Sequence, residues 1–169
     1  MRVIGLAGWS GSGKTTLLAG LIPLLTGMGL RVSTIKHAHH AFDVDKPGKD
    51  SWTHRQAGAA EVLVVSDARW ALMHELRGAP EPSLSQLLGK LSPCDLVVVE
   101  GFKREPIPKI EVWRAAVGKP LLHPDDPDIV LMASDDSSPL ARVPVLPLHD
   151  LPALATALLA AARPVGASG

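Results

Sequence analysis

Gly8-Trp9-Ser10-Gly11-Ser12-Gly13-Lys14-Thr15 stands between a short apolar run at residues 2–7 and a stretch whose apolar residues, Leu17, Leu21, Leu24, Leu25 and Met28, recur at helical spacing. The octapeptide satisfies G-x-x-x-x-G-K-[ST] in the setting that pattern requires, a strand before and a helix after. Glycines 8, 11 and 13 let the backbone turn tightly and aim its N–H groups at phosphate oxygens, while the helix adds its positive N-terminal end. Lys14 then reaches the β- and γ-phosphates, the Thr15 hydroxyl is placed to ligate Mg2+, and Ser10 or Ser12 adds a weaker contact.

Working outward, residues 31–36 read as a second strand and residues 37–50 as a polar, functionally decorated segment. A short helix follows through Ala57, with Asp50 or Ser51 as its cap and Gly58 as its stop. Residues 61–66 and 69–76 suggest an antiparallel pair around a turn at Asp67-Ala68. Beyond a proline-rich joint, residues 83–91 read as a helix, and 95–100, 107–113 and 128–134 as strands. Asp150 caps a last helix that carries Leu151, Leu154, Leu158 and Leu159. Strands alternating with helices indicate an α/β fold of the P-loop NTPase type, a doubly wound, mainly parallel sheet with an antiparallel hairpin. Residues 1–163 are expected to form a single nucleotide-binding domain and 164–169 a flexible tail. Pro23 is expected to kink or loosen the first helix.

Composition agrees. The chain has 169 residues, 46% hydrophobic and 20% charged, the size and mixture of one domain. Seventeen basic residues balance seventeen acidic ones, so no overall field favours nucleic acid or an acidic membrane. A start that runs straight into the phosphate loop leaves no room for a signal peptide, no apolar run is long enough to span a bilayer, and Cys94 alone cannot form an internal disulfide. The expected compartment is the cytoplasm.

Leu96-Val97-Val98-Val99-Glu100 resembles a Walker B strand ending in glutamate, so Glu100 is the candidate to hold Mg2+ or polarise an attacking water, with Lys14 as the other catalytic candidate. Asp95 opens that strand and belongs at the far end. Guanine is commonly read by an Asn/Thr-Lys-x-Asp motif, yet the chain has no asparagine and no Lys-x-Asp. Ser134-Asp135-Asp136, just after a strand, is the positional candidate for the base, with Asp135 as acceptor. His37, His39, His40, Asp43 and Asp45 lie within nine positions. That spacing suits a transition metal, a solvated loop, or a loop that senses nucleotide or a partner, and spacing alone does not choose.

Ile35-Lys36-His37-Ala38-His39-His40 and Asp43-Val44-Asp45-Lys46-Pro47-Gly48-Lys49-Asp50-Ser51 resemble the signature of the molybdopterin-guanine dinucleotide biosynthesis adapter proteins, the MobB family. Ala57-Gly58-Ala59, Arg69-Trp70-Ala71-Leu72-Met73, Val99-Glu100-Gly101-Phe102-Lys103 and Pro108-Lys109-Ile110 follow in the same order, carrying the resemblance to about Arg114. It implies a GTP-binding homodimer that assists the MobA-type guanylyltransferase attaching GMP to molybdopterin, with slow GTP hydrolysis at most. Gly11 to Thr16, Thr16 included, would then bind the triphosphate, and Thr15 with Glu100 would serve Mg2+. The loop containing His37, His39, His40, Asp43, Asp45, Lys49 and Asp50 would be switch-like, and Lys103 and Lys109 would offer charge to phosphates or to molybdopterin. A small ATP-dependent P-loop kinase is the alternative, but only Arg104 and Arg114 lie where an arginine lid would be. A partitioning-type ATPase needs an early lysine where this loop has Trp9 and Ser10.

Overall fold

The computed structural model describes residues 1–38, 42–138 and 140–166. In chain order its elements are β1 (Arg2–Ala7), α1 (Lys14–Gly27), β2 (Val32–Lys36), α2 (Asp50–Gln56), β3 (Glu61–Val65), β4 (Trp70–His74), α3 (Leu84–Leu88), β5 (Leu96–Glu100), β6 (Lys109–Val112), β7 (Ile129–Ala133), β8 (Val145–Leu146), α4 (Leu151–Ala161) and β9 (Arg163–Pro164). Contacts divide the chain into two compact units, one of Met1–His37 with the chain from Leu84 onward, the other Ala38–Ser83. The sequence reading treats the same stretch as one domain.

In the first unit, the described strands form one seven-stranded sheet, six of them parallel in the order β2-β5-β1-β6-β7-β8 and the seventh, β9, antiparallel against β1. β5 is buried along its whole length, which is why it reads as an unbroken apolar run and not as an alternation. Ile4, Leu6, Val98, Ile110 and Val112 pack on one face against Leu17, Leu21 and Leu25 of α1 and Leu154 and Leu158 of α4. Val3, Val97 and Val99 pack on the other against Leu84 and Leu88 of α3, with Cys94 beside them. Helices on both faces make the fold doubly wound. α1 continues through Pro23 to Gly27, and Asp150 caps α4, its carboxylate accepting the Ala153 N–H at 3.0 Å.

Two short strands escape sequence periodicity. β8 is two residues long. β9 overturns the flexible tail at its start: Val3 pairs with Arg163 and Arg2 with Pro164 in antiparallel register, and the Val165 N–H donates to Met1 O. The cause lies in β6, which joins β1 only from Gly5 onward and so leaves the Arg2–Val3 edge for β9 to fill. Residues 167–169 lie outside the described residues.

The second unit contains α2 and the β3–β4 hairpin, with Leu63 opposite Leu72 and Val65 opposite Trp70. These four side chains share one face and are exposed, Trp70 at 63% and Val65 at 72%.

Candidate functional site

The phosphate loop leaves β1 at Ala7, where the parallel sheet gathers its carboxyl ends. Gly8 has φ +144°, and a Cβ there would lie 2.5 Å from Val112 O, so no other residue fits without moving backbone. Lys14 folds back into the loop, its ammonium donating to Gly8 O and Trp9 O at 2.9 Å each. Burial lowers the Lys14 pKa, Glu100 pulls it up, and nearby Lys103 and Lys36 push it down again. Ser12 is buried, and its hydroxyl has no hydrogen-bond partner among the described residues.

The β1–β5 register sets Leu6 beside Glu100. Glu100 thereby meets the loop, and Thr15 Oγ1 donates to Glu100 Oε1 at 3.3 Å. The Glu100 carbonyl accepts the His37 N–H at 2.8 Å, and the His37 ring tilts against Phe102 at 5.0 Å. Gly101 is needed between them, because a Cβ there would approach His37 Cβ to 2.9 Å at φ +105°. Lys103 Nζ lies 4.6 Å from the centroid of the Trp9 indole, whose Nε1 donates to Pro120 O at 2.8 Å. Lys14, Thr15, Glu100, His37 and Lys103 are thus brought to one end of the sheet, as the sequence suggests. Asp95 is at the other end, accepting the Arg31 N–H at 2.7 Å.

At the opposite end of the loop, Gly13, Thr16 and Gly20 line an open cavity of about 310 Å³ with Arg114, Leu148 and His149. Arg114, which the sequence offered only as a sparse lid residue, donates from Nε to Ser12 O at 3.2 Å. Asp135 accepts the Leu148 N–H at 2.8 Å and pairs with His149 at 3.1 Å. The His149 hydrogen bond is the main reason its carboxyl lies below the usual carboxylate range; burial opposes this and the Leu148 N–H assists it. Ser134 is corrected: it is buried, and its hydroxyl closes a turn with Asp136 at 3.1 Å rather than facing a ligand.

Lys109 is also corrected. Its side chain is 2% exposed, and Nζ turns to Asp126 at 3.1 Å and Asp128 at 3.7 Å, the residues leading into β7 at the sheet end away from the loop. Gly5 makes room for it, since a Cβ on β1 there would meet Lys109 Cγ at 2.9 Å. A neighbouring buried acid, Glu111, belongs to no motif in the sequence. It accepts the backbone N–H groups of Leu122 and His123 and pairs with His123 Nδ1 at 2.9 Å, and His123 Nε2 accepts the Arg142 N–H. That network assigns the Nδ1-protonated tautomer and makes the pair a clamp on two loops.

Apart from His37, the described residues of the loop that the resemblance makes switch-like, Asp43, Asp45, Lys49 and Asp50, belong to the second unit. Arg55 gathers Asp43 at 2.8 Å, Asp45 at 3.2 Å and Glu75 at 2.8 Å. Asp43 is held below the usual carboxylate range first by the Asp45 N–H and then by Arg55. For Asp45, burial works upward but hydrogen bonds from Ser51, Lys46 and Arg55 outweigh it. Lys49 precedes α2, its carbonyl accepting the Thr53 N–H, and Asp50 occupies the helix's first turn. His39 and His40 lie outside the described residues. Among those described, no group of three or more His, Cys, Asp or Glu converges as a metal site, and no helix is long and apolar enough to cross a membrane.

A sequence profile for molybdopterin guanine dinucleotide synthesis protein B, MobB, matches residues 3–135. The chain belongs to the MobB family. It is 46% identical over 156 residues to the molybdopterin-guanine dinucleotide biosynthesis adapter protein of Escherichia coli K12, covering 90% of this chain and 89% of that one. With the protein of the same name from Haemophilus influenzae it shares 50% identity over 127 residues, 73% of this chain and 70% of the relative. The crystal structure of Bacillus subtilis MobB superposes with a TM-score of 0.74 at 20% identity, covering 96% of this chain and 99% of that one, a likeness of fold. The family read from the motifs is therefore the family found.

Proposed function

We propose that this MobB-family chain is a GTP-binding adapter of molybdopterin-guanine dinucleotide biosynthesis, holding GTP with Mg2+ beside the MobA-type guanylyltransferase that attaches GMP to molybdopterin. The observation that carries the reading is the meeting of Lys14, Thr15 and Glu100 at the mouth of the phosphate loop. A hydroxyl and a carboxylate oxygen 3.3 Å apart are hard donors of the kind Mg2+ takes together with phosphate oxygens and water. The ion would neutralise charge across the β- and γ-phosphates. Loop N–H groups and Lys14 hold the phosphates, and the cavity beside Gly13 and Thr16 is the place for nucleoside, with Asp135 at hydrogen-bonding distance from its His149 wall. Glu100 is tied to Thr15, and no other carboxylate in the first unit is hydrogen-bonded at the phosphate loop among the described residues. Hydrolysis on this reading is slow, and the chain acts as an adapter in the cytoplasm more than as a catalyst.

The exposed hairpin of the second unit supports a homodimer. A two-stranded sheet is marginal by itself in water, and one face of this hairpin offers Leu63, Val65, Trp70 and Leu72 to solvent. A second copy supplies matching apolar surface and free strand edges. Reconstitution tests the adapter role: guanylyltransferase, GTP, Mg2+ and molybdopterin are combined with or without the chain. Faster dinucleotide formation with the wild-type chain, and not with Lys14→Ala, supports the proposal; equal rates in all three mixtures refute it.

A further inference from the structure

Apart from the motif lysine, cations gather at the terminal-phosphate end of the loop. Lys36 closes β2 directly opposite Glu100 in the parallel register, and Lys103 follows Glu100 by three residues. The Lys103 ammonium lies over the Trp9 indole at 4.6 Å, with Lys119 at 5.9 Å from the same ring. Trp9 is fixed on two sides, by its Nε1 bond to Pro120 O and by Lys14 Nζ on its own carbonyl. A motif lysine reaches the β- and γ-phosphates, and the Lys14 ammonium sits on the Gly8 and Trp9 carbonyls, so Trp9 stands beside the lysine that would meet those phosphates. Lys103 stands over Trp9, and both Lys103 and Lys36 are close enough to act on Lys14. In a chain of zero net charge, Lys14, Lys36 and Lys103 near Glu100 form a local excess of positive charge among the described residues.

We propose that Lys103, held over the phosphate loop by Trp9, binds the terminal phosphate and lets the site distinguish a nucleoside triphosphate from a diphosphate. The inference rests on the nucleotide reading given above. An indole face keeps an ammonium in place yet holds it more weakly than a charge-assisted hydrogen bond to phosphate, so Lys103 is both positioned and free to transfer. Lys119 shares the ring but lies farther from it, at 5.9 Å, which makes it the control for a general field.

Calorimetric titration with GDP and with the β,γ-imido analogue of GTP, both with Mg2+, is run on wild type, Lys103→Met and Lys119→Met. Lys103→Met is expected to weaken the triphosphate analogue roughly ten- to hundredfold and GDP by less than about threefold. Lys119→Met is expected to change either by less than about threefold. An unchanged Lys103→Met, an equal loss of both nucleotides, or the same triphosphate-selective loss in Lys119→Met overturns the inference while leaving nucleotide binding intact. Wild type that binds neither nucleotide overturns the nucleotide reading, and this inference with it.

Discussion

Lys109→Met separates a phosphate ligand from a structural cation. In the sequence Lys109 is a candidate for phosphate or molybdopterin, but in the fold its ammonium is buried between Asp126 and Asp128. Removing one partner of a fully buried pair costs about 3–5 kcal/mol, because the other charge is stranded. Here the Asp126 and Asp128 side chains keep 22% and 33% of their exposure, so water recovers part of that loss. Methionine retains the apolar stem that packs over Gly5, so no cavity is added. The expected destabilisation is about 1–3 kcal/mol, or about 2–4 °C of Tm per kcal/mol at this chain length. Urea unfolding gives the first quantity, and nucleotide titration of the folded variant is expected to match wild type. Affinity lost by more than about tenfold at unchanged stability would refute the reasoning.

Gly8→Ala must place a Cβ 2.5 Å from Val112 O at φ +144°; a loss of about 2 kcal/mol or more in thermal unfolding is expected, with nucleotide binding abolished. Trp70→Lys puts a charge on the exposed hairpin face and is expected to raise the dimer dissociation constant roughly thirtyfold or more, measured by sedimentation equilibrium. Wild type that sediments as a monomer would remove the dimer altogether. For pH, Asp43 and Asp45 have folded pKa values below the ordinary 3.8, so their contribution is complete above that value and is lost as pH falls through the lower folded values. Amide exchange at Asp45 and Lys46 is expected to be flat from pH 7 to about 5, after correction for intrinsic rates, and to accelerate below about 4. Arg55→Met should show the fast behaviour already at neutral pH.

The parts of the molecule that were legible in the sequence are those governed by local rules. The loop from Gly8 to Thr15 needs its glycines for backbone geometry, β5 needs an unbroken apolar run because both its faces are covered, and Asp150 needs only the N–H three residues on. What escaped depends on partners distant in sequence. β9 exists because β6 starts late, and the role of Lys109 was set by Asp126 and Asp128 together with a missing side chain at Gly5. Arg114 reaches Ser12 across about a hundred residues of chain, and no spacing rule links them. A buried lysine and an exposed one look alike in a sequence until the strand alternation around Ile110 and Val112 is known to bury both faces.

On the proposed function, the site binds GTP through the phosphate loop and prefers guanine. Calorimetric titration of the purified chain with GTP and with ATP, with Mg2+ and beside Lys14→Ala, tests it most directly. GTP is expected to bind at least about tenfold more tightly than ATP, and Lys14→Ala to lose most of that binding. Equal or tighter binding of ATP, or GTP binding that survives Lys14→Ala unchanged, would contradict it.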